Sequence, residues 1–148
     1  MNKLFSKLIL LFSFALLTGC MTKPQGPVSL PTAFEDMWYR PTLTRPGIKV
    51  MVDTGRVSVN ESEVLFNGGE TADQINIEDI LELSHRSVGT DVINQWVIVK
   101  YREGAGQAHA TFTRGAMLGW GGSGDSARLF EAISIALNKK GMSRVIMH

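Results

Sequence analysis

After Pro46-Gly47 the chain breaks into short apolar runs separated by turn-forming residues, and this pattern restricts the fold more than any other feature of the sequence. Runs of four to eight residues rich in Val, Ile, Phe and Tyr, bounded by Gly, Asn, Asp and Ser, read as strands of an antiparallel sheet. The pattern predicts strands at 48–52, 56–59, 63–66, 74–77, 80–86, 95–102 and 107–113. Asp53-Thr54-Gly55 and Asn67-Gly68-Gly69 supply turn residues that tolerate positive φ, and Asn60-Glu61-Ser62 reads as a polar connection. In 95–102, Val97, Val99 and Tyr101 alternate with Trp96, Ile98 and Lys100, so both faces carry apolar groups, as in a central strand. A single long segment, 125–140, has helical period instead: Phe130, Ile133 and Leu137 recur on one face, with Leu129 and Ala136 beside them. Ser123, Asp125 or Ser126 can cap its start, and Gly141 follows its lysine-rich end. The expected architecture is mainly β with one C-terminal helix (α+β): a small seven-stranded antiparallel barrel or sandwich capped by an amphipathic helix.

The N-terminal end reads differently. Lys3 and Lys7 precede the apolar run 8–17 with no acid between, a charged n-region followed by an h-region. A run of about ten residues falls short of the roughly twenty that cross a bilayer as a helix, so export is expected rather than spanning. The four residues that follow, Leu17-Thr18-Gly19-Cys20, resemble the lipobox of bacterial lipoprotein precursors. The resemblance implies lipid transfer to the Cys20 sulfur and cleavage between Gly19 and Cys20. Cys20 is the only cysteine, so no internal disulfide competes for it. Two or more acyl chains anchor a protein stably, at about 0.8 kcal/mol per buried methylene, where one chain holds it only marginally. Met21 and Thr22 follow the cysteine where an aspartate would imply inner-membrane retention, so the resemblance implies the outer membrane, facing the periplasm.

The expected organisation is therefore a signal peptide over 1–19, a lipidated tether over 20–31 and one domain over 32–148. The tether carries Pro24, Pro27 and Pro31 with few large apolar groups and reads as extended. Thr32 and Glu35 have capping-box spacing, which predicts a short helix through about Tyr39, ended by Pro41. Phe34, Met37 and Trp38 would lie along one side, packed on the domain or dipped into the membrane.

Strands followed by one closing helix, from Ile48 to Lys140, resemble the pleckstrin-homology-like superfold and its GRAM-like relatives. The resemblance is carried by the hairpin Arg56–Asn60 with Glu63–Gly68, by Ile75–Leu83, by Asn94–Tyr101 and by the helix. A lipocalin-like or other small barrel fits the same spacing. The best-known members of the superfold bind phosphoinositide headgroups through basic residues around the loop joining their first two strands. Here Lys49 and Arg56 are the basic residues beside Asp53-Thr54-Gly55, and the Lys/Arg-x-Arg element of lipid-binding members is missing.

The chain holds 15 Lys and Arg against 14 Asp and Glu, and losing Lys3 and Lys7 with the leader leaves about −1. That balance, without a basic cluster, argues against nucleic acid as a partner. His85, His109 and His148 show no shared ligand spacing, Glu78-Asp79 reads as a solvated bend, and Cys20 is taken by lipid, so no catalytic set, metal site or cofactor beyond that lipid is expected. The stretch Gly115–Gly124 holds five glycines ahead of the helix. Its amides can hold an anion at the helix start, although its spacing matches no phosphate-binding fingerprint. In the second reading it is a linker that folds Met117, Leu118 and Trp120 onto the domain, and in a third it is a binding loop of Met117, Leu118, Trp120, Gly121 and Gly122 whose tip meets a partner or touches the membrane. The expected function is that of a lipid-anchored, non-enzymatic interaction module of the cell envelope, with the bilayer and an envelope protein as partners. A binder of small ligands or headgroups is the alternative.

Overall fold

The computed structural model describes residues 26–41, 53–88, 91–114 and 123–147; in the second half, the side chains of 91–93 and 123 are not described. The strands are β1 (Thr32–Arg40), β2 (Asp53–Val59), β3 (Glu63–Gly68), β4 (Ala72–Asn76), β5 (Ile80–Val88), β6 (Asp91–Glu103), β7 (Gly106–Thr113) and β8 (Ile146–Met147), with one helix, α1 (Ser123–Lys139). They form one sheet in the order β4-β3-β2-β1-β7-β6-β5-β8, antiparallel throughout except where β8 runs parallel to β5. The expected mainly β fold with a helix near the C-terminus is what the chain adopts. The seven-stranded barrel is not: the described sheet is open, with β4 and β8 at its edges, and has eight strands. Two of these, β1 and β8, were not expected as strands, and the expected strand 48–52 lies outside the described residues.

The expected helix at 32–39 is instead β1, and the reason is local. Phe34 pairs with Val57 and Met37 with Gly55, so the register shifts between them by one residue, a β-bulge at which Asp36 takes φ 55°. The extra residue lets Phe34 and Met37 both face inward, the i, i+3 spacing that imitates a helix. Phe34, Met37 and Tyr39 are all buried in the core, so Phe34 and Met37 pack on the domain and do not dip into a membrane, and Trp38 is half-buried.

The expected turn at 53–55 is also corrected: these residues open β2. Gly55 pairs with Gly68 across β2 and β3 so closely that a Cβ on Gly55 would strike the backbone of Asn67 and Gly68. The glycine serves backbone approach within a sheet, not a turn. Residues 42–52, between β1 and β2, lie outside the described residues. The polar connection at 60–62 behaves as read, whereas Asn67 and Gly68 close β3 and the turn follows them without positive φ at Gly68 or Gly69. Asn60 Oδ1 accepts the Ser62 and Glu63 amides at 2.7 and 2.9 Å, and beyond Asn67 the Gly68 amide donates to the Thr71 carbonyl at 2.8 Å.

The core lies between the curled sheet and α1. Leu129, Ala132, Ile133, Ala136 and Leu137 of α1 are fully buried over β6 and β5, with further contacts to β2, β7 and β1. Burying each large aliphatic side chain contributes about 1.5–3 kcal/mol. The helix ends as its sequence predicts: Gly141 takes φ 70°, the Met142 amide donates to Leu137 at 2.8 Å and the Gly141 amide to Asn138 at 3.0 Å. On the sheet, His85, Val97, Phe112 and Tyr39 register across β5, β6, β7 and β1 on the core side. The neighbouring row, Ser84, Ile98, Thr111 and Arg40, faces the other way, with Trp96 beside it. Trp96, Ile98, Ser84 and Thr111 are buried as well, so the centre of the sheet is shielded on both faces.

Candidate functional site

Of the residues singled out by sequence, Cys20, Met117, Leu118, Trp120, Gly121, Gly122 and His148 lie outside the described residues. What the structure supplies is the frame around 115–122. Thr113 at the end of β7 donates its Oγ1 to the Gln95 carbonyl at 2.8 Å and stands 3.2 Å from Ser126 Oγ, which also accepts the Arg114 amide at 3.2 Å. The Arg114 guanidinium donates to Asp125 in the first turn of α1, and Asp36 of the β1 bulge adds a second carboxylate at 3.9 Å. The hydrogen bond to Asp125 holds the guanidinium above its ordinary pKa, so it stays a cation. Residues 114 and 125 are therefore clamped together, and both ends of the glycine-rich stretch leave from one place.

A second polar group lies between the two halves of the sheet. Tyr39 of β1 donates to Asp73 Oδ2 at 2.9 Å, and Tyr101 of β6 reaches the same carboxylate at 3.3 and 3.4 Å. Tyr39 also stacks on Phe66 with centroids 4.5 Å apart and leans on Phe112 at 5.5 Å. Burial, followed by the Asp73 carboxylate, pushes both phenols well above their ordinary range, so they stay protonated and serve as donors. The group fastens β4 to β1 and β6.

A third carboxylate, Asp53, accepts the amides of Thr54, Gly69, Glu70 and Thr71 at 2.8, 3.3, 2.9 and 2.8 Å. The Glu70 amide above all holds this carboxyl below its usual range. Asp53 thereby clasps the β3–β4 connection from the neighbouring strand β2. Neither Asp73 nor Asp53 stands out in the sequence, where one borders an expected strand and the other sits in an expected turn. A signal was present for Tyr101, whose alternation with Val97 and Val99 turns it inward.

His85 is half-buried on β5 and stacks on Phe130 of α1 with centroids 5.7 Å apart and planes 25° apart. Its Nε2 is buried without a hydrogen-bond partner, and burial lowers its pKa below the ordinary histidine value. His109 lies on β7 across from Lys100. Glu78 and Asp79 occupy a 3₁₀ turn, 77–79, where Glu78 pairs with Lys140 at 2.8 Å and Asp79 with Arg102 at 3.6 Å, the solvated bend expected. Among the described residues no three His, Cys, Asp or Glu side chains gather as metal ligands, and no described helix is long and apolar enough to cross a membrane. Several described cations are already occupied: Arg56 by Glu35 at 3.3 Å, Arg128 by the Gly26 carbonyl at 2.8 Å, and Lys139 by Glu61 at 2.5 Å. Comparison with models of known protein families and with curated proteins finds no match.

Proposed function

We propose that this chain is a bacterial lipoprotein, lipidated at Cys20 and anchored at the periplasmic face of the outer membrane, whose domain works as a non-enzymatic interaction module of the cell envelope. The reading is carried by Leu17-Thr18-Gly19-Cys20 placed directly after a charged n-region and a short apolar run. Mass spectrometry of the purified protein tests it. The expected N-terminus is a Cys20 bearing diacylglyceryl and acyl mass, lost with Cys20→Ser; an unmodified Cys20 or cleavage elsewhere overturns the reading.

The domain is proposed to be pleckstrin-homology-like in an open-sheet form. Support comes from the order of its elements, two successive antiparallel meanders followed by a single helix. Its recognition element is Met117, Leu118 and Trp120 with Gly121 and Gly122. A large ring flanked by glycines offers contact area on an adaptable backbone, and the Arg114–Asp125 clamp holds both ends of the stretch at the sheet. Trp120→Ala is expected to abolish co-purification with an envelope protein while leaving the melting temperature unchanged. If crosslinking captures no partner with the wild type, the module loses its support.

A second reading, binding of a small anionic ligand or headgroup, rests on the glycine-rich stretch Gly115–Gly124 leading into α1, whose amides can hold an anion at the helix start. It predicts a saturable thermal shift with inorganic phosphate or anionic vesicles, absent when Gly121 or Gly122 is replaced. A flat response to both removes it.

A further inference from the structure

Of the two described histidines, His85 and His109, His85 is the one that lies between the sheet and α1. It sits on β5, across from Val97 of β6 and one residue from Ser84, which pairs with Met147 of β8. Its ring faces α1 and lies against Phe130, with Nε2 shut off from solvent and from any acceptor. A neutral imidazole with a bare nitrogen is tolerated there at the cost of one unmade hydrogen bond. An imidazolium is not, because a buried N–H⁺ needs an acceptor or a counter-charge.

Neither is at hand. On β5 the charged neighbours Glu82 and Arg86 belong to the opposite face, where they register with Lys100 and Trp96 of β6. On α1, Glu131 is exposed, Arg128 is turned to the Gly26 carbonyl and Asp125 to Arg114. Arg144 in the 3₁₀ turn preceding β8 is exposed. None of these groups contributes to the lowered titration of His85, which burial alone accounts for.

We propose that His85 is an acid-sensitive latch of α1: taking a proton from water at Nε2 places an unpaired cation under Phe130 and loosens the helix from β5 and β6. The latch is independent of the lipid anchor and of any partner. The sign follows from linkage. A histidine whose folded pKa is lowered binds protons better in the loosened state, so its contribution is intact above the ordinary value of about 6.5 and is lost as pH falls through it towards the folded pKa. Each unit of lowering corresponds to about a tenfold change in the docked-to-loosened ratio.

The test uses the full-length protein in detergent, wild type, His85→Phe and His85→Leu, melted between pH 7.5 and 5. The wild-type midpoint is expected to fall as pH drops below about 6.5, and either variant is expected to flatten that fall, because both keep an apolar contact with Phe130. Hydrogen exchange at pH 5, corrected for intrinsic rates, is expected to accelerate α1 amides relative to β2–β4 in the wild type only. Imidazole NMR of the wild type supplies a reading that needs no variant, with His85 titrating below the free value. The latch is overturned if the variants that fold keep the wild-type fall, if His85 titrates at or above the free value, or if α1 shows no selective exchange.

Discussion

Two of the polar groups in the apolar interior are built oppositely. At Asp73 one half-buried carboxylate receives two phenol donors, Tyr39 and Tyr101, and ties strands from both halves of the sheet. At the other end of the core, His85 Nε2 and Ser84 Oγ are buried with no partner, on the two faces of one strand. The first arrangement recovers the cost of burial by hydrogen bonding; the second leaves it unrecovered, about 1–3 kcal/mol for each orphaned group. One end of the domain is fastened by its polar residues, whereas at the other His85 Nε2 and Ser84 Oγ add no hydrogen bond to the apolar packing.

The comparison can be broken at several points. The largest effect is expected at the aromatic support of the fastened end: Phe112→Ala should lower unfolding free energy in urea by about 3–5 kcal/mol, since its ring is fully buried and leans on both Tyr39 and Phe66. Asp73→Ala comes next, costing about 1–3 kcal/mol because two buried hydroxyls lose their acceptor; a neutral result would show that the phenols find water and that this end is no better satisfied than the other. Tyr39→Phe should cost about 0.5–1.5 kcal/mol and more than Tyr101→Phe, whose bonds are longer.

Outside the core, Asp53→Asn should destabilise at neutral pH. The carboxyl is held below its ordinary pKa, so its contribution is present above about 3.9 and disappears as pH falls through the folded value. Wild-type and variant melts should therefore converge in acid. The smallest effect belongs to Ser84→Ala, expected within about 0.5 kcal/mol of wild type or slightly stabilising, because the deleted hydroxyl has no partner to lose. A loss above about 1 kcal/mol would mean that Ser84 is not the orphan it is described as.

What the sequence disclosed follows from the same physics. Strands whose apolar residues alternate, such as Val57 with Val59 and Val97 with Val99, were legible because a period of two has no helical counterpart, and α1 was legible because Ile133 and Leu137 repeat at its own period. β1 was not, since its bulge spaces Phe34 and Met37 as a helix would and Thr32 with Glu35 adds a matching cap. β8 has two residues, too few to show a period. The polar groups were illegible for another reason: Asp73 and Tyr39 lie 34 residues apart, and only the curl of the sheet brings them together. Leu17-Thr18-Gly19-Cys20, which resembles a lipobox, and the glycine-rich stretch are signals of a third kind, local patterns that are read without reference to the fold.

The place of β1 in the middle of the sheet has a consequence for how the chain assembles. β1 to β4 form a meander of near neighbours that can zip from its own turns, whereas the second edge of β1 closes only on β7, as in the bond from Thr111 Oγ1 to the Arg40 carbonyl across 71 residues. Until residues 111–113 arrive, β1 presents an open edge of unpaired amides and carbonyls. Such late, distant pairing slows folding and exposes the waiting intermediate to association with other chains. A chain threaded from its N-terminus makes β1 early and completes that strand's pairing only after residues 111–113 have followed.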